Sequence, residues 1–289
     1  QLVKIAADGT LEPKLATDWK ANDDLTQWEF TLTPDVTASN GEAIDADDVV
    51  FTYETILGDP SGENYAYLSS LDSVEAVDAT TVRFTLKQPF SAFPRNTSLI
   101  SIVPADTYQD MGADAYAREP IGSGPYVFDS ITTGVSYDLK RNDDYWGPAP
   151  AIEEISLQPV SSTESRANGV LSGSLDVAQI GPTQVASVQA APSAQTFSAA
   201  SNGVVFLGVN STAGALQDVR VREAVAKAID TQAIVDSLLS GLAEPAKAMI
   251  APAVEGYSDS VEPIAYDPDG ARALLAEAGY DGTPIPFDY

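Results

Sequence analysis

The chain has 289 residues, with 42 Asp and Glu against 15 Lys and Arg, a formal net charge of −27 and a pI near 4.1. It contains no His and no Cys, which excludes a Ser-His-Asp triad, a Cys-His nucleophile pair, His or Cys metal sites and disulfides. Nucleic acid is disfavoured as a partner because no basic footprint exists, while 44% apolar and 20% charged residues suit a folded globular chain.

Length suggests roughly two domains of about 150 residues each. Residue 1 is Gln, and no charged-then-apolar leader follows it. The longest apolar run, Val204 to Val209 counting Gly208, is far short of the ~20 residues of a membrane span. At the other end, Pro284 to Tyr289 reads as the start of a strand. The chain is therefore expected to be cut at both ends.

Taken in order, Asp8-Gly9 between Val3-Ile5 and Leu11 is a hairpin-type turn. Trp28, Phe30 and Leu32 alternate with polar residues, as do Val82, Phe84 and Leu86, so both segments read as half-buried strands. Between them Asp45 is placed as the N-cap of a helix whose body runs from Val49 to Leu57 and stops at Gly58. Asp47 and Asp48 then lie in the first turn, where carboxylates complement the helix dipole. Gly122-Ser123-Gly124-Pro125 leads into a strand from Tyr126 to Phe128, and a turn near Thr133-Gly134 leads into Val135 to Leu139. Ile152 to Val160 reads as a strand, Ser162 to Leu171 as a short helix before Gly173, and residues 181–201 show no clear pattern. Gly203 to Val209 is continuous and apolar, as in a fully buried strand.

The last third is helical. Val221, Ala224, Val225, Ala228 and Ile229 make one apolar stripe with Asp218 as N-cap. A second helix runs from about Gln232 to Ser240 and ends at Gly241. A third opens at Asp267-Pro268, passes Leu274-Leu275 and closes at Gly279. Strands mixed with helices, without a regular βαβ period or internal repeat, argue α/β with an inserted topology.

Few constellations carry chemistry. Asp45, Asp47 and Asp48 fail the calcium-loop spacing, since the fifth and sixth positions are Val49 and Val50, and capping explains all three. Asp267-Pro268-Asp269-Gly270 reads the same way. Gly122-Ser123-Gly124 lacks the lysine of a phosphate loop and any histidine to activate its serine, so it reads as a tight turn that can line a cleft. Paired carboxylates of glycosidase type are not singled out among so many acids. Tyr65, Tyr67, Tyr126, Tyr145, Trp146 and Phe206 are of the kind that line peptide and small-molecule clefts.

The order of motifs is more specific than any one of them. Gly9-Thr10-Leu11-Glu12-Pro13-Lys14-Leu15-Ala16-Thr17-Asp18-Trp19 is followed by Trp28-Glu29-Phe30-Thr31-Leu32 and by Asn40-Gly41-Glu42-Ala43-Ile44-Asp45-Ala46-Asp47-Asp48-Val49-Val50-Phe51. Then come Gly122-Ser123-Gly124-Pro125-Tyr126, Arg141-Asn142-Asp143-Asp144-Tyr145-Trp146, and Ser172-Gly173-Ser174-Leu175-Asp176. Asp218-Val219-Arg220-Val221-Arg222-Glu223-Ala224 and Ala271-Arg272-Ala273-Leu274-Leu275-Ala276-Glu277-Ala278-Gly279 close the series. In this order the chain resembles the oligopeptide/dipeptide/nickel-binding family of ABC-transporter solute-binding proteins, family 5, over nearly its whole length. It departs from the family pattern at Thr33, where an Arg is frequent, and at Thr37-Ala38, in place of a basic-aromatic pair.

The resemblance implies a periplasmic-binding-protein-like α/β fold of type II, in the large three-domain subclass, with mixed sheets and an inserted small domain. It divides this truncated chain into an inserted domain over 1–120, part of the first ligand-binding lobe over 121–212, and the beginning of the second lobe over 213–289. It implies a secreted receptor, periplasmic or held at the cell surface as a lipoprotein, that captures a short peptide by lobe closure and delivers it to membrane permease subunits. A nickel chelate, haem, an opine or an oligosaccharide is the alternative solute; a hydrolase or adhesin on the same scaffold is a third possibility. No catalytic residue, cofactor or metal is expected, and the receptor is expected to be a monomer. By positional match, Tyr65 and Tyr67 face the cleft from the inserted domain, and Asn202 and Phe206 lie near the strand joining the lobes. Asp218, Arg220 and Arg222 are expected to serve helix capping and ion pairing.

Overall fold

The computed structural model describes residues 1–254 and 256–287. The chain forms two compact units, residues 1–159 and 160–289.

In the first unit, β1 (Val3–Ile5) and β2 (Leu11–Pro13) pair antiparallel across the Asp8-Gly9 turn. Gly9 takes the left-handed φ of 85° that such a turn needs, and Asp8 accepts the Thr10 N–H at 3.0 Å. β3 (Ala16–Ala21) and β4 (Gln27–Leu32) begin a four-stranded antiparallel sheet. The chain then leaves the sheet for α1 (Ala46–Leu57) and a 3₁₀ helix, Glu63–Leu68, and returns as β5 (Leu71–Asp78) and β6 (Thr81–Leu86). The strand order is β3-β4-β6-β5, with Trp28 opposite Phe84 and Phe30 opposite Val82.

Alternation sorts the two faces of this sheet. Trp28, Phe30 and Leu32 of β4 and Val82, Phe84 and Leu86 of β6 point to one face and are buried there with Val49 and Tyr53 of α1. Phe84 meets Phe30 edge-on at 5.3 Å, Tyr53 at 4.9 Å and Phe93 at 5.2 Å between ring centroids. Each fully buried aromatic contributes roughly 1.5–3 kcal/mol from area alone. The opposite face carries a row of charges across all four strands: Lys20 to Glu29 at 3.0 Å, Glu29 to Arg83 at 2.8 Å and Arg83 to Glu75 at 2.8 Å. The Arg83 guanidinium, then Lys20, hold the Glu29 carboxyl below its ordinary value.

Helix α1 begins as the sequence predicts. Asp45 accepts the Asp47 N–H at 2.8 Å, and Asp48 reaches back to the Asp45 N–H at 2.8 Å, a reciprocal capping box. After β6 come α2 (Phe93–Thr97), α3 (Ala105–Met111) and α4 (Ala113–Tyr116). Pro104 leaves α3 without a cap of its own. Asp48 supplies one by accepting the Ala105 N–H at 2.7 Å, and Glu42 accepts the Asp106 and Thr107 N–H groups at 3.1 and 3.2 Å. β7 (Tyr126–Thr132), β8 (Ser136–Arg141) and β9 (Glu154–Leu157) close the first unit as a three-stranded antiparallel sheet, order β7-β8-β9.

The second unit contains α5 (Thr163–Ser172), α6 (Pro182–Gln189), a 3₁₀ turn at Gly214–Gln217, α7 (Val219–Ala228), α8 (Thr231–Leu238) and α9 (Pro268–Glu277). The predicted caps Asp218 and Asp267 each accept a first-turn N–H; Ser162, read as the first helical residue, instead caps α5, and Gly173 ends that helix in the left-handed conformation. α7 packs on α9 through buried Val221, Ala224 and Ala271. Four arginines clamp main-chain carbonyls: Arg95 to Gly9, Arg166 to Val160, Ser161 and Gln179, Arg220 to Glu277, and Arg222 to Leu216 and Gln217, at 2.6–3.0 Å. Arg220 pairs with Asp218 at 2.5 Å and holds that carboxyl down at about 2.

Three strand expectations are not met as stated. Gly203 to Val209 is not a buried strand; it is irregular, with Val205 at 101% and Phe206 at 63% of full exposure. An apolar run becomes a buried strand only with paired edges and covered faces. No strand among the described residues pairs with it. The expected strand start at 284–289 is likewise irregular through Phe287, and residues 288 and 289 lie outside the described residues. The segment from Ile152 to Val160 is strand only over β9. Among the described residues no helix is long and apolar enough to cross a membrane.

Replacing Asp45 by Ala removes half of the capping box and is expected to cost about 1 kcal/mol in urea unfolding. Asp48 is 5% exposed, and burial pushes its carboxyl up despite the two N–H groups it accepts. A raised folded value means stability that is present below the ordinary carboxyl pKa of about 3.9 and is lost as pH rises through the raised value. Measured against the non-titrating Asp48→Asn variant, wild-type stability is therefore expected to fall as pH rises across that window. A rise instead would contradict the burial effect.

Candidate functional site

Two of the predicted ligand residues sit on the 3₁₀ helix Glu63–Leu68. Leu68 is fully buried and anchors this turn in the core, while Asn96 donates to the Tyr67 carbonyl at 2.8 Å. Three residues per turn place Tyr65 over Leu68, so Tyr65 is half-buried and Tyr67 points elsewhere, 42% exposed. Neither tyrosine hydroxyl has a hydrogen-bond partner among the described residues. Asn202 and Phe206 are exposed in the irregular segment of the second unit. The structure thus puts the two tyrosines together on one turn, and Asn202 and Phe206 together on one segment.

A second constellation surrounds the loop Ile121-Gly122-Ser123-Gly124-Pro125. Every one of its carbonyl oxygens is taken. Tyr116 Oη donates to the Ile121 oxygen, and the Ser39 N–H donates to Gly122 at 3.0 Å. Trp146 Nε1 donates to Ser123 at 2.9 Å, Asn142 Nδ2 to Gly124 at 3.0 Å and the Asn142 N–H to Pro125 at 2.9 Å. Asn142 is buried, and its Oδ1 accepts the Asp144 N–H at 3.1 Å, which fixes the amide's orientation. Trp146 packs on the main core beside Ile121. Lys14 completes the support: its ammonium donates to Tyr145 Oη at 2.7 Å and lies 5.3 and 5.7 Å from the Tyr145 and Trp146 ring centroids.

These anchors come from positions 39, 116, 142 and 146. Sequence reasoning named Gly122 to Pro125 and the Asn142–Trp146 segment as separate motifs and had no spacing rule to join them. The join becomes visible only when each buried carbonyl is asked for its partner.

Two hollows of about 360 and 460 Å³ lie elsewhere. The first is bounded by Ile131, Val135, Tyr137 and Leu157, the second by Val221, Val225, Leu275, Tyr266 and Tyr280, and neither touches the four predicted residues. Among the described residues no group of three or more His, Cys, Asp or Glu side chains could hold a metal ion.

Comparison with known proteins agrees with this arrangement of sheets and helices. The model of the bacterial extracellular solute-binding proteins, family 5 Middle, matches residues 10–287, and the chain belongs to this family. The nickel-binding periplasmic protein of Escherichia coli is 29% identical over 96% of this chain and 55% of its own length. The glutathione-binding protein GsiB of Shigella boydii is 30% identical over 93% of this chain and 53% of its own. Among solved structures, the ABC transporter substrate-binding protein CtaP of Listeria monocytogenes superposes with a TM-score of 0.85 at 26% identity, covering 96% of this chain and 59% of that one. The chain thus spans about half the length of the curated relatives it matches. Its fold is the mixed α/β fold of periplasmic binding proteins, and its family is one of solute receptors.

Asn142→Ala removes the donor to Gly124 and the acceptor for Asp144 in a buried setting. The expected loss is about 1–3 kcal/mol in urea unfolding, with faster amide exchange through residues 122–126.

Proposed function

We propose that this chain is part of a secreted receptor, periplasmic or surface-anchored, that binds a short peptide and passes it to an ABC importer. Membership of the family over residues 10–287 carries this reading. In it, residues 1–120 are the inserted small domain, 121–212 part of the first ligand-binding lobe and 213–289 the beginning of the second. The protein acts by binding and release, as a monomer and without catalysis.

Peptides are favoured over nickel by chemistry within the chain. A bare nickel ion is held best by imidazole and thiolate, and this sequence has neither His nor Cys. Relatives named for glutathione and for D,D-dipeptides, 30% and 28% identical, stand beside the nickel-binding relative at 29%, so the preference rests on the side chains present in this sequence. Tyr65 and Tyr67 are proposed to contact the solute from the small domain, with hydroxyls unpartnered among the described residues and ring faces suited to amide groups. Asn202, with both a donor and an acceptor, and Phe206 are proposed to contact it from the lobe side. Closure is driven only by contacts that the open form lacks.

The test is a thermal-shift screen of the full-length protein against di- to pentapeptides, glutathione and a nickel chelate. At a hundredfold excess over Kd, a bound peptide adds about 2.7 kcal/mol and raises the melting midpoint accordingly. A shift with the chelate alone would replace the peptide reading by the metal one. Tyr67→Ala is expected to weaken peptide binding by about 0.5–1.5 kcal/mol while leaving the unliganded midpoint unchanged.

A further inference from the structure

The glycines of this chain mostly have a visible reason. Gly9, Gly134 and Gly173 adopt positive φ, and a Cβ at Gly169 would meet Leu175 Cδ1 at 2.6 Å. Gly122 and Gly124 have neither reason. Their φ angles are not in the left-handed region, a Cβ on Gly122 would meet nothing within 4 Å, and one on Gly124 would meet only the Tyr126 carbonyl at 3.8 Å. A residue with room for a side chain and a backbone that accepts one gains nothing for the fold by being glycine, and loses entropy on folding. What glycine does allow is close approach of another molecule to the main chain.

The hydrogen bonds of the loop indicate what would approach. All five carbonyls from Ile121 to Pro125 are engaged, so the strip is pinned by its acceptors. The N–H groups of Gly122, Ser123 and Gly124 donate to nothing among the described residues. The strip is half-buried and pinned through its carbonyls, its N–H groups are unengaged among the described residues, and open space lies beside Gly122. Successive free N–H groups of this kind bind an oxygen acceptor. The charges flanking the strip in sequence or on its anchors are Lys14, Arg118 and Arg141 against Glu119, Asp143 and Asp144, a local balance within a chain of net −27. Local neutrality suits a neutral carbonyl, and the chain's overall negative field disfavours a carboxylate.

We propose that Gly122-Ser123-Gly124 is a solute-binding strip whose N–H groups donate to an amide carbonyl of the bound peptide. This rests on the peptide-receptor reading above and adds the subsite and the atom it recognises. The geometry makes the interaction blind to the peptide's side chains and sensitive to the main chain at one position. Gly122→Ala then fills the approach space without disturbing the fold.

The experiment uses the full-length protein with trialanine and pentaalanine as probes, read by calorimetry and by amide hydrogen exchange. Gly122→Ala is expected to keep the unliganded melting midpoint and to lose affinity at least about tenfold, as when a buried donor is denied its acceptor. In the unsubstituted protein, bound peptide is expected to slow exchange at Ser123 and Gly124 by at least about tenfold. If the wild type binds neither probe, the peptide reading and this subsite both fall. If it binds and exchange at 122–124 is unchanged, the subsite alone is overturned, whatever the variant's stability. Affinity of Gly122→Ala equal to wild type overturns it as well.

Discussion

The ring of Phe84, wedged among Phe30, Tyr53 and Phe93, is the contact on which the first unit depends. It joins three parts that the chain makes at different times: neighbouring strand β4, helix α1 inserted between β4 and β5, and the short α2 beyond the sheet. Because interiors are packed at crystal-like density, fixing this cluster fixes what is attached to it. Leu68 hangs the tyrosine-bearing turn on the same core, and Trp146 extends it to the loop at 121–125. Both groups of candidate ligand contacts in the first unit are therefore mounted on packed side chains, which suits residues that must hold position while a solute arrives and leaves.

Charge plays a different part from the one its size suggests. Asp45, Asp48, Asp218 and Asp267 are spent on helix starts, and Glu42 on the start of α3, so several of the acids act as local backbone acceptors. The bases are committed almost to the last. Arg118 alone of the described Lys and Arg side chains has no partner among the described residues. The remaining acidity faces solvent, where it favours solubility and disfavours anionic solutes without dictating the fold.

Much of this was legible from the sequence because the signals were local. A cap followed by an apolar stripe names a helix start wherever it occurs, and Asp45, Asp218 and Asp267 cap the helices they were expected to cap. Strict alternation identified β4 and β6, whose inward residues are deeply buried. β5 escaped notice because only Leu71 and Val74 are buried along it and two register shifts break its period. The run at 203–209 was misread because apolarity says that a segment wants cover and not whether cover is present. The candidate site was legible only in pieces. Tyr65 and Tyr67 could be named from residue type, but the anchoring of Gly122 to Pro125 joins residues more than a hundred positions apart, and no periodicity encodes it.

Three of the four carbonyl-clamping arginines make no ion pair among the described residues, which bears on how this surface behaves in brine. An ion pair such as Lys4–Glu12 weakens as dissolved salt screens it, and at molar ionic strength the screening distance shrinks to about 3 Å. Arg95, Arg166 and Arg222 instead donate to neutral oxygens, where there is little partner charge for salt to mask. The loops they hold stay tied under conditions in which exposed ion pairs contribute little. The same salt relieves the mutual repulsion of the acids around them. A strongly acidic chain that ties its loops to peptide oxygens relies less on exposed ion pairs to hold those loops, so added salt is free to relieve its repulsion without loosening them.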